Sequence, residues 1–66
     1  MKADRVEVVR DEKAGDWLIR IQVGEEVIRR RCREAKDADV TALRNAAVQT
    51  AADEGYTIDP SEVTIS

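Results

Sequence analysis

Between Trp17 and Val23 the chain alternates, with Trp17, Ile19, Ile21 and Val23 at one set of positions and Arg20 and Gln22 between them. A period of two is the mark of a half-buried strand. Gly24-Glu25 follows, placing glycine at the first central position of a two-residue turn, where a type II′ hairpin needs positive φ. The second arm, Glu26 to Arg33, sets five charged residues on a β-capable frame. The stretch from Trp17 to Arg33 therefore predicts a hairpin, and the other elements are placed around it.

The turn length dictates the register, because antiparallel partners step in opposite directions from the turn. Val23 then faces Glu26, Ile21 faces Ile28, Ile19 faces Arg30 and Trp17 faces Cys32, which makes one mostly apolar face. The other face pairs Gln22 with Val27, Arg20 with Arg29 and Leu18 with Arg31. A slip of one residue would set Ile21 against Arg29 and split the apolar set. The chosen register puts Arg20 opposite Arg29, and like charges so placed are destabilising by a few tenths of a kcal/mol or more. A carboxylate or an outside anion should relieve that pair.

Before the hairpin, Arg5-Val6-Glu7-Val8-Val9-Arg10 alternates as a first strand with Val6 and Val8 inward, and residues 11–16 form a polar connection. Setting Val8 opposite Ile19 brings Glu7 opposite Arg20 on the outer face. After Arg33 the polar segment 34–39 leads into a helix, with Asp37 or Asp39 as its N-cap. Val40, Leu43, Ala47 and Ala51 fall in a stripe of about 80°, while Asn45, Gln49 and Asp53 face away. Gly55 is placed to end the helix in the left-handed conformation. Tyr56-Thr57-Ile58 resumes β character, residues 59–62 turn at Pro60, and Val63-Thr64-Ile65 reads as a short last strand at an edge.

These elements predict one small α+β domain over residues 1–66, ordered β-β-β-α-β: a three-stranded antiparallel meander covered by one helix, with a short C-terminal edge strand. With Gly15-Asp16-Trp17 opening a strand and an alanine-rich helix, the order resembles in outline the three-strands-then-helix domains of phage-type integrase arms and plant AP2 factors, which read DNA with the sheet. It also resembles the partial ribonuclease-H-like fold of HicB-type antitoxins. The Pro-Gly-Cys segment of the antitoxins is absent, so the likeness is one of topology and assigns no residue.

Sixty-six residues lie near the lower limit for a chain that folds alone, which favours a dimer or a partner. Net charge is −3, with eleven basic against fourteen acidic residues, and that total is not the basic one of a typical nucleic-acid binder. The distribution is uneven: nine of the eleven basic residues fall within residues 1–33. A single cysteine makes no internal disulfide, no apolar signal segment opens the chain, and no run approaches the ~18 apolar residues of a membrane span. Cytoplasmic location and no membrane contact are the expectations.

The chain has no histidine, which removes Ser-His and Cys-His nucleophile pairs and the commonest nitrogen ligand of zinc. Cys32 is expected inward beside Trp17 as a small buried hydrophobe. The carboxylates at Asp11/Glu12, Asp37/Asp39, Asp53/Glu54 and Asp59/Glu62 sit in loops or at helix ends, without the apolar flanks that raise a catalytic pKa. Neither a calcium-loop spacing nor a glycine-rich phosphate cradle is present. No catalytic residue, metal or cofactor is expected.

The one constellation with chemistry is the set of arginines on the outer sheet face: Arg20, Arg29, Arg31 and Arg33, with Arg5 at the rim. Guanidinium forks suit carboxylates and phosphates. The face is either a solvated surface neutralised by Glu7 and Glu12 or a binding surface. The expected function is a non-enzymatic binding module for a protein partner or a second copy of the chain, with nucleic acid at the arginine face as the alternative. Arg30 points the other way and is expected to pair with an acidic residue near the helix.

Overall fold

The computed structural model describes residues 1–13, 15–32, 34 and 37–65. Three strands, β1 (Arg5–Asp11), β2 (Asp16–Val23) and β3 (Glu26–Cys32), precede one helix, α1 (Val40–Asp53). A single 3-10 turn at Pro60–Glu62 then leads into β4 (Val63–Ile65). The strands form one sheet in the order β3-β2-β1-β4, antiparallel within the meander and parallel between β1 and β4. The fold is α+β.

The hairpin adopts the register that keeps its apolar set together: Ile21 opposes Ile28, Ile19 opposes Arg30, and Trp17 opposes Cys32. Gly24 has φ +61°, as the first central position of a II′ turn requires, and among the described residues only glycines take a positive φ. The tip is tied down from outside, because Gly24 N–H donates to Asp4 Oδ2 at 2.6 Å. On the other side of β2, Val8 opposes Ile19 and Glu7 opposes Arg20.

One face of the sheet is sealed. Val6, Val8, Ile19 and Ile21 are fully buried, and Trp17, Cys32 and Val63 join them. Against these large side chains α1 presents small ones, Ala47 and Ala51, with Leu43 as its one large buried residue and Val48 packed half-buried at the margin. Small residues on the helix let it lie close to a sheet that supplies the bulk. Val40 departs from the expected stripe: it is 48% exposed. Its angle around the helix is right, but as the first helical residue it overhangs the apolar face.

The helix ends follow from local chemistry. Asp39 is the N-cap, its Oδ1 accepting from Ala42 N–H at 2.8 Å. At the other end Gly55, with φ +90°, lets its own N–H reach Ala52 O at 3.0 Å and that of Tyr56 reach Ala51 O at 2.9 Å. These are the paired bonds of a Schellman motif. The chain then returns along the sheet end, where Lys2 and Thr57 form an isolated parallel bridge and Ala3 is buried. Pro60 opens the 3-10 turn, where its missing N–H costs no bond, and Val63 re-enters the core.

Candidate functional site on the open face of the sheet

Alternation along the strands sends every second side chain to the face away from α1. There the register lines residues up in rows. One runs Thr64, Glu7, Arg20, Arg29 across all four strands, and its neighbours run Val9, Leu18, Arg31 and Arg5, Gln22, Val27. Asp11 and Asp16 close the end of the face. None of these outward residues is buried, and Val27 is 37% exposed there.

Charge compensation on the face is unequal. Arg31 is held by Asp16, with Nη1 3.1 Å from Oδ1, and lies 4.0 Å from Asp11 Oδ2. Glu7 is 4.0 Å from Arg5 Nε, its neighbour two residues back on the same strand. Although Glu7 stands directly opposite Arg20, no ion pair joins them, and Arg20 and Arg29 have no carboxylate within ion-pair distance among the described residues. Arg20 and Arg29 therefore stand opposite each other on adjacent strands with no ion-pair partner among the described residues. Arg20 Nε is moreover a buried donor with no hydrogen-bond partner. Leaving such a donor unpaired costs about 1–3 kcal/mol, and the like-charge pair adds a few tenths to ~1 kcal/mol.

Each arginine singled out from the sequence is accounted for. Arg20, Arg29 and Arg31 share the open face, Arg5 lies at its rim, and Arg33 lies outside the described residues. Arg30 points to the helix side, where Nη2 lies 2.7 Å from Glu54 Oε1 and Nη1 donates to Arg29 O at 2.8 Å. It is a structural cation, tying β3 to the C-cap residue of α1. Cys32 is buried on the same side opposite Trp17.

The sequence reading left out the apolar members of the site. Val9 and Leu18 are half-buried neighbours on β1 and β2, while Val27 on β3 stands apart from them, across the Glu7, Arg20, Arg29 row beside Gln22. The signal for them was the pair of consecutive apolar residues, Val8-Val9 and Leu18-Ile19, which breaks strict alternation and puts apolar groups on both faces.

Comparison with family models, with curated proteins and with solved structures found no match to this chain. Among the described residues no helix is long and apolar enough to cross a membrane.

Proposed function

We propose that this chain is a non-enzymatic binding module that engages a protein partner through the open face of its sheet. The observation that carries this reading is the uncompensated pair Arg20 and Arg29, flanked on one side by the apolar neighbours Val9 and Leu18 and on the other by Val27. A face that served only as a solvated exterior would gain by neutralising that pair, and Glu7 is within one strand of doing so. Mixed apolar and charged groups are what protein interfaces present. A nucleic-acid ligand, the alternative, would meet Glu7, Asp11 and Asp16 on the same face and no aromatic side chain on which to stack a base.

Amide chemical-shift mapping on the labelled chain tests the proposal with three titrations: dilution of the protein, a glutamate-rich peptide, and a short DNA duplex at low salt. Shifts on dilution or with the peptide that centre on Arg20, Leu18, Val9 and Arg29 are the expected result. Shifts only with the duplex transfer the face to nucleic acid. A face silent in all three removes the proposal.

A further inference from the structure

We propose that the occupant of the open face is a second copy of this chain, packed sheet against sheet about a two-fold axis running parallel to the strands between β1 and β2. The inference rests on the reading of that face as a protein-binding surface and goes further by naming the partner and the geometry. Its basis is the charge order across the row Glu7, Arg20, Arg29, which the register brings level on three adjacent strands.

Two sheets that pack face to face lie about 10 Å apart with their strands nearly aligned, and strands within each are spaced by about 4.8 Å. An isologous axis along the strands and midway between β1 and β2 sets each copy's β1 over the other's β2 at the same level. Glu7 of each copy then stands over Arg20 of the other, twice by symmetry. Val9 stands over Leu18 in the same way, giving the interface an apolar centre. Arg29 falls over Thr64 on the opposing β4, because β3 and β4 lie equally far from that axis.

No neighbouring axis does this. Midway between β2 and β3 it would set Arg20 over Arg29 twice. Centred on β2 it would set Glu7 over Arg29 twice but Arg20 over Arg20 at the axis, and centred on β1, Glu7 over Glu7. An axis across the strands through this row also stacks like on like. One midway to the Val9 row sets Arg20 over Leu18 and Arg29 over Arg31, and one midway to the Arg5 row pairs Glu7 with Arg5 but sets Arg20 over Gln22, so neither gives Arg20 a counter-charge. The one like-charge approach left by the preferred axis, Asp11 over Asp16, involves carboxylates that Arg31 faces within each chain. In the assembled pair the second copy's Glu7 supplies the counter-charge that Arg20 lacks in the single chain.

A face of four short strands makes a small interface, at the lower end of those that hold specific partners, so association in the micromolar range is expected. Sedimentation equilibrium from about 1 to about 500 μM should show the native chain passing from monomer to dimer. Glu7→Arg and Arg20→Glu should each weaken the dimer by at least about tenfold. Mixed in equal amounts, the two variants should form a heterodimer, because Arg at position 7 of one then meets Glu at position 20 of the other. Circular dichroism confirms that each variant is folded. If either is not, the double variant Glu7→Arg/Arg20→Glu takes over, and it should dimerise with itself yet form no mixed dimer with the native chain. A native chain monomeric over the whole range overturns the proposal. So does a dimer that neither reversal weakens, a pair of reversals that does not reassociate on mixing, or a double variant that mixes freely with the native chain. Should the chain prove monomeric while the glutamate-rich peptide still shifts the open face, the binding face stands and only its self-pairing falls.

Discussion

Ile19 and Arg20 are consecutive in the chain and face opposite ways from the middle of the same strand. Ile19 is fully buried against the helix layer, and its face is closed by Leu43, Ala47 and Ala51. Even the cation on that side, Arg30, finds Glu54 at 2.7 Å. Arg20 stands on the uncovered side with a buried, unpartnered Nε and Arg29 opposite. One face satisfies its groups and the other leaves a deficit in place. A small chain tolerates a cost of this kind where the groups serve something outside the fold, as strain is kept at functional sites elsewhere.

The contrast can be broken most forcefully at its closed side. Ile19→Ala removes a fully buried side chain from the centre of the sheet and should cost about 2–5 kcal/mol, against a total of roughly 3–10 kcal/mol for a chain of this size. Leu18→Ala, one residue away on the open face, should cost about 1 kcal/mol or less. Urea unfolding of both variants checks this, and equal losses would mean that the open face is as structural as the closed one. A step down in size, Gly55→Ala puts a side chain at φ +90° where nothing lies within 4 Å of the added Cβ. Its cost, about 1 kcal/mol, is then one of backbone conformation alone and should appear as a lower melting temperature with an unchanged sheet.

The smallest effect concerns the turn into β4. The Ser61 hydroxyl first, and its backbone amide second, bond the Asp59 carboxylate and hold its pKa below the ordinary 3.8. A depressed carboxyl stabilises the fold above that ordinary value, and the contribution fades as pH falls from there through the folded-state pKa. Ser61→Ala removes the larger cause, so Asp59 should titrate closer to 3.8, as followed by carboxyl carbon NMR. An unmoved titration would show that the hydroxyl bond does not hold the carboxylate.

Much of the fold was legible because one arrangement satisfies several local demands together. A one-residue slip would send Ile28 to the face opposite Ile19 and Ile21, and the two-residue turn with Gly24 at its first central position fixes the register that keeps them together. Arg30 had to leave a face that buries its neighbours, and the acidic end of the helix was the place to go. The parallel pairing of β4 with β1 was not legible: a strand of three residues with Val63 and Ile65 alternating fits either edge of a sheet. Its site beside β1 leaves β3, with Arg29, Arg30 and Arg31, as the other edge, and charge on an edge strand guards against stray pairing. Nor could pattern decide between two partners for Glu7, since Arg5 along the strand and Arg20 across it are both within reach. The apolar part of the site was missed because Val9 and Leu18 were read as members of strands and not of a surface.

The most direct test of the claim that the open face is kept for a partner at some cost to the chain is urea unfolding of Arg29→Gln at a concentration too low for association. Removing one of two opposed cations should leave the chain as stable as the native one or more so by a few tenths of a kcal/mol. A loss of more than about 1 kcal/mol would make Arg29 a structural residue and contradict the claim.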